Sequence, residues 1–291
     1  MIKTTRLIPP LFVLLWSTGF LGARYSMPWA EPFTFLGVRF ALAGAILAAL
    51  MAAMASPRLR ARQIGVAMVS GILIHGLYLG GVFWAVHQGL PAGISALIAG
   101  MQPLVTALLA MALLGEKVTR RQWLGLAAGL LGVLIVLWPK LGVTGAGVNA
   151  ATLAASAVAV LSIGAGTVWQ KRFGTRDDPV ANTTWQYVGA TAVMALGSLL
   201  FETRQFTLNG ELVFALLWLT LVLSIGAIFL LMRMIRDGEM ARVSSLFYLV
   251  PAVTAIIAWF LFGETLTPVQ LAGMALATFG VALATARKRP S

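Results

Sequence analysis

Residues 103–133 of this chain recur at 251–281. A shift of 148 positions places Pro103 on Pro251, Val105 on Val253, Thr106 on Thr254, Ala107 on Ala255, Ala110 on Ala258 and Leu113 on Leu261. The same shift places Gly115-Glu116 on Gly263-Glu264, Thr119 on Thr267, Gln122 on Gln270, Gly125 on Gly273, Ala127 on Ala275 and Gly132-Val133 on Gly280-Val281. Fourteen identities in one register, without a gap, mark two copies of a single unit. The boundary implied is 1–143 for the first copy and 144–291 for the second.

Each copy is too apolar to live in water. Only 10% of the residues are charged and 59% are hydrophobic, against roughly 25% charged in soluble domains. Such a chain cannot cover a water-facing surface, and apolar runs long enough to cross a bilayer as helices recur throughout it. The expected fold class is therefore an all-α integral membrane protein. Ten spans can be marked, at about 7–24, 32–54, 63–87, 91–113, 120–138, 148–171, 179–201, 211–234, 241–262 and 268–286. The first run follows Lys3 and Arg6 but lacks a convincing small-x-small cleavage site, so it counts as a span and not as a signal peptide.

The net charge of +12 is distributed as a topology signal and not as a nucleic-acid patch. With ten spans, one side receives the clusters at Lys3/Arg6, Arg58–Arg62, Lys117–Arg121, Lys171–Arg176, Arg233–Arg242 and Arg287–Arg289, seventeen basic residues in all. The other side receives Arg24, Lys140 and Arg204. Both termini are thus expected in the cytoplasm. Five crossings per copy is an odd number, so Glu116 and Glu264 fall on opposite sides and the copies are inverted. Inverted repeats are the architecture of alternating access.

The repeated motifs have structural readings beside functional ones. Thr119-x-x-Gln122 and Thr267-x-x-Gln270 fit capping boxes, and Glu116 and Glu264 just before them fit the favourable end of the helix dipole. Pro103 and Pro251 are different, since each falls near the middle of its span and removes a backbone hydrogen bond there. Such a break either supplies a hinge or offers carbonyls to a solute, which would then lie between the two prolines. Glycines at 76/80 and 125/129 permit close helix packing.

Polar and aromatic residues gather at the depth of the prolines: Trp16 and Ser17, then His75, Tyr78 and Leu79, then Ser95 and Gln102, then Ser162 and Trp169, Trp185 and Gln186, and Ser244 and Tyr248. All are candidates for a substrate-binding cavity. The competing reading is hydrogen bonding between helices for the Ser and Gln groups and an interfacial belt for the Trp rings. Arg39 is the only charged residue well inside a span. A cation there marks an anion contact or a gating partner, unless its side chain snorkels to the membrane edge. No Asp or Glu accompanies it in the span interiors, which argues against a carboxylate relay of protons or sodium.

Taken together, Trp16-Ser17-Thr18-Gly19-Phe20, Phe35, Arg39-Phe40 and the duplicated Pro103–Glu116 segment resemble the drug/metabolite transporter superfamily, specifically its EamA-type ten-helix exporters. The resemblance covers essentially the whole chain. It implies two five-helix repeats around a central cavity, with helices 5 and 10 peripheral, in the bacterial cytoplasmic membrane. Within the superfamily the chain is similar to exporters of aromatic and other amino acids, and export of drugs or other metabolites is the alternative. The expected partners are a small-molecule solute and the lipid bilayer, with no nucleic acid, and the protein is a monomer or a homodimer. An intramembrane enzyme is the reading from another class. It finds no HExxH or GxSxG pattern. No cysteine is present and no metal or cofactor motif is read, so neither is expected.

Overall fold

A computed structural model describes residues 8–140, 147–174, 178–227, 230 and 249–285. Ser244 and Tyr248, with the basic residues at 3, 6, 176, 233, 236, 242 and 287–289, lie outside them. The described residues form α1 (Ile8–Ser26), α2 (Pro32–Ala53), α3 (Ala61–Gly71), α4 (Tyr78–His87), α5 (Ala92–Ala99), α6 (Gln102–Leu114), α7 (Arg120–Leu137), α8 (Ala150–Phe173), α9 (Pro179–Phe201), α10 (Gly210–Leu217), α11 (Val250–Phe262) and α12 (Pro268–Thr285). Among the described residues five apolar helical stretches are long enough to cross a membrane, and no strand is present beyond an isolated bridge. A π-helical segment, Ile72–Leu77, joins α3 to α4, and another, Trp218–Ala227, continues α10. The third helix of each copy is therefore widened at a corresponding place. Such segments often mark functional positions.

The duplication is visible in detail. Both α6 and α11 carry proline at their second position and end on a glycine in the left-handed region, Gly115 at φ 70° and Gly263 at φ 65°, a conformation glycine adopts at little cost. Both following helices open with the expected box: Gln122 N donates to Thr119 Oγ1 at 3.3 Å, and Gln270 N to Thr267 Oγ1 at 3.3 Å. Gln270 Nε2 also donates to the Val136 carbonyl at 3.0 Å, tying α12 to α7.

The glutamates require a correction. They do not serve the helices they precede. Glu264 accepts from the amides of Ala92 and Gly93, at 3.2 and 3.4 Å, at the start of α5, and Glu116 pairs with Lys171. The dipole argument holds for Glu264 alone, at a neighbouring helix towards which the chain turns at the left-handed Gly263.

Repeat-related helices pack against one another. A Cβ on Gly125 would lie 2.4 Å from the Gly280 carbonyl oxygen, and one on Gly132 would lie 2.4 Å from Ala277 N. Early residues of α7 thus meet late residues of α12, so the two helices run antiparallel with backbones in contact. Likewise Phe33 of α2 lies against Gly197 of α9 and Gly44 against Tyr187, so α2 and α9 are antiparallel as well.

At one end the α1–α2 loop clasps the α9–α10 loop. Glu31 N donates to the Gln205 carbonyl at 3.0 Å and Thr207 N to the Trp29 carbonyl at 2.8 Å. Glu202 accepts from the Phe33 and Thr34 amides, both at 2.7 Å, and Glu31 from Gln205 N at 2.8 Å. Partial burial pushes the Glu31 carboxyl upward, but its bonds with Gln205 and Thr203 outweigh this and hold it below its ordinary 4.5. Its contribution is thus complete above the ordinary value and is lost as pH falls through the lower, folded one.

Two predictions follow from this packing. Acidification through the carboxylate range should quicken amide exchange at Gln205 beyond its intrinsic pH dependence, and pH-independent protection would contradict the clasp. Gly132→Val should lower stability by about 1–3 kcal/mol through overpacking, read as thermal unfolding in micelles. Gly65→Ala, where nothing lies within 4 Å of the added carbon, is the control and should not destabilise.

Candidate functional site

Close backbone approach builds the centre of the molecule. Gly71 ends α3 directly against the Gln186 carbonyl of α9, where a Cβ would sit 1.9 Å from the oxygen, and Gly189 meets the Met68 carbonyl in the same way. These contacts press the π-helical turn carrying His75 onto α9. The His75 ring lies 4.9 Å from the Tyr187 ring and 6.2 Å from Phe40, and Phe40 stacks on Tyr187 at 5.7 Å and 24°. Tyr187 is 1% exposed.

Arg39 completes this cluster. It is 4% exposed and does not snorkel to the edge. Its Nε and Nη2 donate to Ser224 Oγ at 3.3 and 3.1 Å, and its guanidinium carbon lies 5.7 Å from the Phe40 ring centre. Tyr187 Oη donates to the Ser224 carbonyl at 3.2 Å. Gln186 Nε2 donates to Asn182 Oδ1 at 2.6 Å. No Asp or Glu within ion-pair distance of Arg39 is found among the described residues. A guanidinium carries five N–H donors. One hydroxyl cannot satisfy all five, and no other side-chain partner of Arg39 is found among the described residues.

The remaining candidates occupy several places. Tyr78 is buried one turn along from His75, and among the described residues no hydrogen bond of its hydroxyl is found. Leu79 packs on the same core. Ser95 and Ser162 are buried, and Gln102 is half-buried at the first position of α6. Among partnerless side-chain polar atoms of the described residues, only the hydroxyls of Thr106 and Thr220 are fully sealed. The polar atoms of Tyr78, Ser95, Gln102 and Ser162 therefore border open space.

Ser17 belongs to a separate contact. Its Oγ lies 2.7 Å from the Val13 carbonyl and 3.4 Å from that of Val250, and Thr254 Oγ1 donates to the Ser17 carbonyl at 3.4 Å. Trp16 packs on Phe12 at 5.3 Å. Trp169 is held by a bond from Nε1 to the Val66 carbonyl at 3.2 Å and by Phe173 at 4.3 Å. Trp185 is half-buried on α9.

Pro103 sits at a break between α5 and α6, and Pro251 stands at the second position of α11. Between α5 and α6 the bonding tightens, Met101 N donating to Ile98 and Leu104 N to Met101, both at 3.0 Å. Pro251 is buried against this break, its Cγ 3.2 Å from where a Cβ on Gly100 would stand. The space there, bounded by Leu97, Met101, Pro251 and Val281, is about 10 Å³, room for one water at most.

The sequence reading missed Tyr187 and Ser224. A signal existed for the first. Aligning Glu31-Pro32 with Asp178-Pro179, 147 positions on, and continuing the register pairs Arg39-Phe40 with Gln186-Tyr187. The structure makes that pairing physical: Arg39 reaches the π-helical segment of the other copy at Ser224, and Tyr187 lies against the first copy's at His75. For Ser224 nothing in the sequence distinguished it from other span serines.

Ser224→Ala should cost about 1–3 kcal/mol by removing the acceptor for a buried cation, and Tyr187→Phe about 1 kcal/mol. Both are read by thermal unfolding. Equal, negligible effects would place neither group in the cluster.

The sequence pattern of the EamA-like transporter family matches residues 10–138 and again residues 150–286. Over 284 residues the chain is 26% identical to "Uncharacterized inner membrane transporter YedA" of Escherichia coli (strain K12), covering 94% of this chain and 88% of that one. It is 25% identical to "Probable amino-acid metabolite efflux pump" of Salmonella typhimurium, over 93% of this chain and 91% of that protein. It is 29% identical to "Protein PecM" of Dickeya dadantii, over 71% and 68%. A crystal structure of a protein 22% identical superposes with a TM-score of 0.65 over 96% of this chain and 95% of that one, a likeness of fold.

Proposed function

The chain belongs to the EamA-like transporter family and is a multi-pass inner-membrane transporter, and from that footing we propose that it exports small metabolites, amino acids foremost and aromatic ones among them, from the bacterial cytoplasm by alternating access. The observation that carries the substrate class is Arg39, a buried guanidinium with a single hydroxyl partner, set beside the Phe40, His75 and Tyr187 rings. A carboxylate takes the free N–H donors of Arg39. The half-buried Trp185 and the buried Tyr78 offer apolar faces to a side chain, and Ser95, Gln102, Ser162 and Gln186 offer hydrogen bonds to an amine. A relative described as a probable amino-acid metabolite efflux pump supports the same class.

The transport cycle in this proposal uses ten helices in two inverted halves with both termini in the cytoplasm. The antiparallel packing of α7 on α12 and of α2 on α9 supports inversion, because helices related by the repeat run in opposite directions. The basic-residue count supports the orientation. Rocking takes place about the joints at Pro103 and Pro251, while α7 and α12, locked backbone to backbone, stay fixed.

Flux of labelled solutes in sealed proteoliposomes tests this. Arg39→Gln should lower transport of aromatic amino acids at least tenfold, about 1.4 kcal/mol, and should affect the matching decarboxylated amines less. Trp185→Ala and Tyr78→Ala should reduce aromatic substrates more than small ones. No flux of any amino acid would sink the substrate class, and equal losses for all solutes would assign these side chains to folding. A dependence of flux on an imposed pH gradient reports coupling to protons, and its absence leaves facilitated diffusion.

A further inference from the structure

A second space lies apart from the Arg39 centre. The first turns of α8, the last turns of α9 and the face of α4, with Phe33 of α2, line a groove of about 540 Å³. Its inner end is at Leu77 and Val193, and its outer end at Ala151 and Phe201, the first turn of α8 and the last residue of α9. Its lining is apolar throughout, with Trp84 along the floor. Phe201 at the mouth is 77% exposed.

The dimensions and the charge pattern identify the occupant. From Val193 to Phe201 a helix rises about 12 Å, close to one leaflet of a ~30 Å hydrocarbon layer. The groove therefore begins at the helix ends and stops near mid-membrane, as a single acyl chain does. A solute crossing the membrane needs a path continuing past that depth, and a carboxylate or an amine finds no partner on these walls. Just past the mouth, three residues beyond Phe201, stands Arg204. It is exposed, held at φ 66°, and no side-chain partner is found for it among the described residues. The carboxylates at this end, Glu202 and Glu31, are taken up by the amides of the clasp, so Arg204 with an apolar slot of leaflet depth behind it matches a phospholipid.

We propose that the α4/α8/α9 groove is a lipid-binding site, holding one acyl chain of an anionic phospholipid from the leaflet at the Arg204 end, with Arg204 meeting the phosphate headgroup. Annular lipid covers every apolar face of a membrane protein and exchanges freely. This site differs because the chain is enclosed on three sides by helices and selected by headgroup charge. It is independent of which solute the transporter carries.

Trp84 is the reporter. The full-length protein is placed in phosphatidylcholine vesicles carrying a small, increasing fraction of phosphatidylglycerol brominated on one acyl chain. The Trp84 signal is isolated as the difference between wild type and Trp84→Phe. The expected result is that Trp84 is half-quenched at a brominated fraction several-fold below that needed for Trp259, isolated in the same way through Trp259→Phe. Trp259 is 52% exposed and takes bulk lipid. Arg204→Ala should remove about fivefold of that preference, the effect of one basic residue near an anionic surface. Ala151→Phe, which fills the mouth from an exposed position, should bring Trp84 back to the bulk curve without altering thermal unfolding. Quenching of Trp84 in proportion to bulk lipid, or none at all, overturns the proposal. So does energy transfer between labelled copies that is abolished by Ala151→Phe, which would assign the groove to a second copy of the chain.

Discussion

Backbone-to-backbone contact between helices of the two copies is the constraint on which the rest of the structure depends. Lipid gives no hydrophobic drive for helices to associate, so close van der Waals packing must supply it. Here the glycines at 125, 132, 273 and 280 bring α7 and α12 into direct contact. Gly71 and Gly189 do the same for α3 and α9. The first pair makes a rigid post on one side of the molecule. The second presses the π-helical turn of His75 against Gln186 and Tyr187, and so assembles the polar centre.

That centre is costly, and its cost is informative. A buried guanidinium in an apolar surround needs acceptors. The fold provides Ser224 and the neighbouring aromatic faces, but no carboxylate among the described residues. Meanwhile the acids that do appear, Glu31, Glu202 and Glu264, are spent on helix starts and loop amides at the membrane edge. Charge inside and charge at the rim therefore do different work. The interior cation is held by a hydroxyl and an aromatic face, and the rim carboxylates hold helices and loops in register.

Much of the architecture was legible from residue order. The duplicated segment announced equivalent helix ends, and the structure realises them down to the left-handed glycines and the capping boxes. Arg39 was singled out by depth alone, and the structure leaves it buried. Less was legible about partners. Trp169 is tied to the Val66 carbonyl and Ser17 to the α11 backbone, so residues grouped by depth divide into different contacts. Depth is read along one chain, whereas a site is made across helices whose rotation no periodicity fixes when every face is apolar.

The sequence by itself determined that this chain is a membrane protein of two related halves, because charge poverty and an ungapped internal repeat admit no soluble alternative. Only the tertiary structure decided that Glu264 caps α5, that Pro251 closes on Gly100, and that Tyr187 stands beside Arg39. Each depends on which helix faces which. In a chain apolar all round, that choice is made by small-residue contacts and backbone geometry, and the hydrophobic pattern is silent about it.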